Sequence, residues 1–154
     1  MRLHIANLTI NLGASTLESA NDSALAPEPL AAPPRIGEPW PGVGSVYAGL
    51  SRGEDGEPDG HLVLLDDVPE STLDWASANK WAEGLGDGAR LPTRFESALL
   101  YANVRDKIDT DGWYWTGAQF SESGAWVQHF FSGTQGNGGK SAKARARAVR
   151  RFPA

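Results

Sequence analysis

The run Ala89-Arg90-Leu91-Pro92-Thr93-Arg94-Phe95-Glu96 decides how the chain is read. Thr93 followed three residues later by Glu96 forms a capping box, in which the hydroxyl accepts an orphan helix amide and the carboxylate reaches back to the cap's own N–H. A helix therefore opens at this point, with Phe95, Leu99, Leu100, Val104 and Ile108 spaced along one side. Arg90 and Arg94 flank Pro92, and the first explanation for them is structural: two guanidiniums that tie the helix to loop carbonyls or to Glu96.

Upstream, Trp75, Ala78, Trp81, Ala82 and Leu85 fall at helical spacing. Asp74, Ser71 or Thr72 can cap that helix, and Gly84 or Gly86 can end it. Trp75 and Trp81 on its surface read as packing residues. Before it, Val46 to Leu50 and His61 to Leu65 read as two strands joined by the loop SRGEDGEPDG. After the turn Asp109-Thr110-Asp111-Gly112, Trp113 to Phe120 and Ala125 to Phe131 read as a hairpin about Ser121-Glu122-Ser123-Gly124. A Gly-rich loop follows from Ser132 to Ser141. From Ala142 to Phe152, Lys143, Arg145 and Arg147 alternate with Ala144, Ala146 and Ala148, the period of a strand with one basic and one small apolar face.

The N-terminal 44 residues differ in character. Leu3, Ile5, Leu8, Ile10 and Leu12 alternate with polar residues, apart from one slip in phase, so residues 1–18 read as a strand or extended arm. Asn7, Thr9 and Asn11 interrupt what a signal peptide needs as an unbroken apolar stretch, and no cleavage is expected. Residues 19–44 are rich in Pro and Ala, with Pro27, Pro29, Pro33, Pro34, Pro39 and Pro41 in quick succession. That segment is either a semi-rigid strap or a flexible linker. The globular domain is expected over residues 45–154.

A length of 154 residues allows one ordinary domain. The absence of cysteine excludes disulfides, thiolate metal sites, iron–sulfur clusters and a cysteine nucleophile. The net charge of −5 is divided unevenly, because all 19 acidic residues precede position 140 and six of the 14 basic ones follow it. No stretch approaches the roughly 20 apolar residues that span a bilayer, and none forms a phosphate-binding glycine loop.

The spaced residues Trp75-x-x-Ala78-x-x-Trp81-Ala82, the run Ala89 to Glu96, Trp113-Tyr114-Trp115-Thr116-Gly117, Ala125-Trp126-Val127 and the terminal Ala148-Val149-Arg150-Arg151-Phe152 together resemble the DUF1566 family. That family includes the C-terminal domain of the Legionella collagen-like adhesin. The resemblance covers residues 46–152 and implies a C-type-lectin-like fold, α+β, with two helices and antiparallel strands. It also implies a ligand-facing surface on the loops around the late strands. Similar folds occur in phage receptor-binding proteins and in formylglycine-generating enzymes. The latter hold copper through cysteines, which this chain lacks, so that activity is not expected.

Chemistry of other kinds is sparsely signalled. His4, His61 and His129 lie in separate segments, no G-x-S-x-G elbow occurs, and no metal or cofactor is expected. Glu57-Pro58-Asp59 has the look of a calcium-lectin loop but precedes both helices, and no Trp-Asn-Asp accompanies it. Asp109-x-Asp111-Gly112 reads as an Asx turn. Aromatic and amide side chains are concentrated in the last third, a composition suited to recognition. The expected ligand contacts are Gln119, Ser121, Glu122, Gln128, Thr134, Gln135 and Asn137.

The expectation is a non-catalytic binding module carried on a phage virion at the tail tip or fibre, with cytoplasmic residence as the other location. Its arm would contact a virion or tail protein, its loops a host surface glycan or protein, and the chain would form a homo-oligomer. The alternative is a decoration or cement protein anchored by the same arm. Nucleic acid is not the expected partner of Lys140, Lys143, Arg145, Arg147, Arg150 and Arg151, because no reading helix or aromatic-interleaved groove accompanies them.

Overall fold

Glycine and tryptophan organise the late strands, and the capping-box segment organises everything else, in a computed structural model that describes residues 29–154. The strand or arm expected at residues 1–18, and the segment up to residue 28, lie outside the described residues. The unit from Ala31 to Ala154 is an α+β domain. Its elements are β1 (Val46–Ser51), β2 (Gly60–Leu64), α1 (Trp75–Gly84), α2 (Arg94–Val104), a short 3-10 turn (Arg105–Lys107), β3 (Trp113–Gln119), β4 (Gly124–His129), β5 (Gln135–Gly139) and β6 (Val149–Pro153). Among the described residues no helix is long and apolar enough to cross a membrane.

Two antiparallel three-stranded sheets result, ordered β1-β2-β6 and β3-β4-β5. The stretch 90–92 joins them. Arg90 exchanges backbone hydrogen bonds with Val149 at the start of β6, while the Pro92 carbonyl accepts the Gly117 N–H of β3 at 2.8 Å. Thr93 then caps α2 with the complete capping box. On α2 the buried stripe is Glu96, Ser97, Leu100 and Val104. Phe95, expected on the apolar side, falls off that stripe and is 67% exposed.

β2 is covered on both faces. Leu62 and Leu64 pack with Leu100, Val104, Tyr114 and Phe130, whereas Val63 and Leu65 pack with Trp115, Ala78 and Ala82. β1 carries a bulge at Ala48, and the Asn103 side chain of α2 donates to the Ala48 carbonyl at 2.8 Å. Asp74 is the residue that caps α1, accepting the Ser77 N–H at 2.8 Å. Trp75 and Trp81 pack against the core, and the Trp75 indole N–H donates to the Thr116 carbonyl.

Three segments differ from the sequence reading. The fold begins before residue 45: Pro39 bridges Val46, and Trp40 is 2% exposed, its ring 5.3 Å from Tyr47, 5.4 Å from His61 and 5.7 Å from Phe152. Prolines prevent regular structure there, but they do not prevent a tryptophan from burying its large apolar surface.

The Gly-rich segment expected as a loop contains β5. Glycine usually disfavours strands, yet the Trp115 ring reaches across to Gly138 and Trp113 to Gly136, where an added Cβ would stand 3.6 and 3.8 Å from the rings. The missing side chains give the indoles room.

The continuous strand expected from Ala142 to Phe152 is broken. Ala144 and Arg145 make isolated bridges to Leu73 and Tyr114, and a ladder forms only from Val149. The chain here leaves the edge of one sheet to join the other. Ala146 and Ala148 are buried as the small apolar face requires, but Arg147 is buried as well, donating to the Leu65 and Lys107 carbonyls.

Candidate binding face

β3, β4 and β5 present two faces. Trp113, Trp115, Val127 and Ala125 share one, and Trp115 and Ala125 pack there into the core with α1. Trp115 is structural in a second way, since its indole N–H donates to the Leu73 carbonyl at 2.7 Å. Tyr114, Thr116, Trp126 and Gln128 share the other face, with Gln135 and Asn137 opposite Gln128 and Trp126 on β5. α2 packs over part of this second face and leaves its Trp126 end beside the first turn of the helix.

At that place Arg94 lies flat on Trp126, its guanidinium carbon 3.4 Å from the ring centroid. Phe120 meets the same indole edge-on at 5.1 Å. Arg94 Nε donates to Gln135 Oε1 at 3.1 Å, and the Gln135 amide donates to the Arg94 carbonyl at 2.7 Å and to Gln128 Oε1 at 2.9 Å. Two glutamines and an indole thus fix the plane of one arginine. Among the described residues no carboxylate lies within ion-pair distance of Arg94.

Beside Arg94 a groove of about 370 Å³ is lined by Asn79 and Glu83 of α1, Glu54 of the β1–β2 loop, Arg90 to Phe95, and Gly117 with Ala118. Small-ligand pockets commonly have volumes of roughly 300–1,000 Å³. Glu54 is oriented by the Thr93 hydroxyl, which donates to its Oε2 at 2.7 Å. Arg90 is engaged from beneath: its two terminal nitrogens donate to the two oxygens of fully buried Glu96 at 2.7 and 2.8 Å. Those bonds hold the Arg90 guanidinium more firmly protonated than usual, against the opposing effect of its burial. Phe95 and Phe120, 67% and 49% exposed, flank the area.

The expected contact residues do not converge on one place. Gln128 is 1% exposed, and with Gln135 it positions Arg94 from behind. Gln119 and Glu122 stand at the β3–β4 turn, where Lys140 donates to the Gln119 side chain and the Glu122 carbonyl. Ser121 lies in the same turn and is exposed. Thr134 sits at the opposite end of β4, accepting from the Ser132 hydroxyl. Asn137 is exposed on the edge strand opposite Trp126.

Arg94, Phe95, Phe120 and Trp126 were not among the expected contacts. The available signals were the positions of Arg94 and Phe95 just after a helix cap, ahead of the buried stripe, and the alternation that puts Trp126 on the face opposite Val127. A second groove of about 370 Å³ lies on the other face, among Trp113, Trp115, Val127, Gly136, Gly138 and Lys143.

The remaining charged groups are occupied within the domain. Lys143 pairs with Asp74 at 3.5 Å, Arg145 with Asp109 at 2.8 Å, and Arg151 approaches Glu96 at 3.7 Å while donating to the Ser51 and Pro58 carbonyls. Arg150 donates to the Leu85 and Gly86 carbonyls at the end of α1. Asp59, of the calcium-lectin-like tripeptide, accepts from the Gly53 N–H and from Arg52. Asp109 accepts the Asp111 N–H as an Asx turn does. Among the described residues no group of three or more histidines, cysteines or carboxylates is arranged to hold a metal ion.

Compared with known proteins, the chain matches no protein-family model and no curated sequence.

Proposed function

We propose that the protein is a non-catalytic binding module: a C-type-lectin-like domain that recognises a host surface glycan or protein in a phage virion, the setting implied by the resemblance. The observation that carries this reading is the Arg94–Trp126 stack, pinned by Gln135 and Gln128 and bordered by exposed Phe95 and Phe120. Aromatic and arginine side chains held in one geometry lose little conformational entropy on binding and dominate binding hot spots. The adjoining groove supplies acceptors at Glu54, Asn79 and Glu83 of the kind that sugar hydroxyls use.

The test is binding of the intact protein to a broad glycan array, with Phe95→Ser and Phe120→Ser measured in parallel. Because both phenylalanines are exposed, these variants should melt with the parent. Under this reading the parent retains a defined set of glycans and both variants lose them. An array with no retained glycan, or variants that bind as well as the parent, contradicts the glycan form of the reading.

A further inference from the structure

We infer that Arg94 makes this face selective for sugars carrying a carboxylate, such as uronic or sialic acid residues; the inference rests on the binding-module reading above. A guanidinium offers five N–H donors in a planar fork that matches a carboxylate. In Arg94 one donor, on Nε, is engaged by Gln135, and the plane is fixed by the indole beneath at 3.4 Å. Among the described residues neither terminal nitrogen has a hydrogen-bond partner or a carboxylate within ion-pair distance.

Arg90, four residues earlier, shows the contrast. Its fork is closed by Glu96 in a bidentate pair. Arg94 has the same chemistry, a more rigid support and no internal anion. An oriented cation of this kind requires no reorganisation when an anion arrives.

The groove beside Arg94 argues for a sugar as the source of that carboxylate. Its lining combines hydrogen-bond acceptors at Glu54, Asn79 and Glu83 with the apolar ring of Phe95. Hydroxyl groups donate to carboxylates and amides, and a pyranose presents an apolar C–H face to an aromatic ring. An acidic protein side chain would bring the carboxylate but not the hydroxyls. The two glutamates also predict a sign: they repel an anionic ligand, so neutralising Glu83, which is exposed and forms no ion pair among the described residues, should strengthen binding.

The experiment uses the intact protein and glycans in matched pairs, each uronate- or sialate-bearing member beside its carboxyl-reduced form, with polyglutamate as a competitor. The inference expects the acidic member to bind about 10- to 100-fold more tightly, the range for a hydrogen bond to a charged group. Arg94→Gln should erase that preference, and Arg94→Lys should keep only part of it, since the fork is lost while the charge remains. Glu83→Gln should tighten the acidic member by a few-fold and leave the reduced member unchanged. This variant does not disturb the Arg94 stack, so it tests the inference even if the Arg94 variants unfold.

Equal binding of acidic and reduced members overturns the inference and leaves the binding module standing. Binding of no glycan at all overturns both. Displacement of every acidic glycan by polyglutamate at equal carboxylate concentration shows that an acidic protein is the source and overturns the assignment to sugar.

Discussion

Glu96 is fully buried at the start of α2 and is gripped through both of its oxygens by Arg90, at 2.7 and 2.8 Å. Glu96 also accepts the Thr93 N–H at 2.9 Å, so one carboxylate completes the helix cap and anchors the chain that joins the two sheets. Removing one member of a buried, hydrogen-bonded ion pair leaves the other uncompensated and costs about 3–5 kcal/mol. Arg90→Ala should therefore lower the stability measured by urea unfolding by about 3 kcal/mol, toward the low end because Arg151 stands 3.7 Å away. Glu96→Gln, which keeps an acceptor for Thr93, should be the milder change.

Trp40 lies in the proline-rich segment but is buried against Tyr47, His61 and Phe152, and its indole N–H donates to the Ala31 carbonyl at 3.0 Å. Trp40→Ala should destabilise the domain by about 3–5 kcal/mol in denaturant unfolding, as core tryptophan truncations do. A segment acting only as a linker would give no measurable change.

Two glycines should respond in opposite ways to alanine. At Gly53 a Cβ would stand 1.6 Å from the Glu57 carbonyl oxygen, so the backbone of the β1–β2 loop must move, and Gly53→Ala should cost about 2 kcal/mol or more. At Gly138 a Cβ would make ordinary contacts at 3.6 Å and beyond, and its φ is not positive. Gly138→Ala should leave the melting temperature nearly unchanged, with any gain coming from a less flexible unfolded chain.

Three exposed aspartates set the acid limb of stability. The Ser77 N–H holds the Asp74 carboxyl below its usual range, the Gly53 N–H does so for Asp59, and the Asp111 N–H for Asp109. A carboxyl whose folded pKa is depressed contributes stability above the unfolded value, about 3.9, and loses it as pH falls through the folded value. Stability should therefore be flat with respect to these groups above about pH 5 and decline below about pH 4. Asp74→Asn keeps the cap acceptor but cannot titrate, so its urea midpoint should fall less steeply with acidification than the parent's.

Much of the α+β order is legible in the sequence because local signals agree there. The Thr93–Glu96 capping box, the Asp74 cap and the apolar run at His61 to Leu65 each act within a few residues. What could not be read required distant partners. Gly136 and Gly138 form a strand because tryptophans more than 20 positions away fill the space above them. Arg147 is buried because carbonyls from two other segments receive it.

The candidate face follows the same rule. Asn137 and the Gln119–Glu122 turn are exposed near the late strands, as the local composition implied. Gln128 and Gln135 instead support Arg94, a relationship that spans 41 residues between Arg94 and Gln135 and leaves no local trace.

Hydrogen exchange of the intact protein, with and without the glycan it binds most tightly on the array, tests the central claim most directly. The account predicts slowed amide exchange at residues 94–98 and 117–120, around Arg94, Phe95 and Phe120. Protection confined to residues 136–144, around the Trp113 groove on the opposite face, would contradict it.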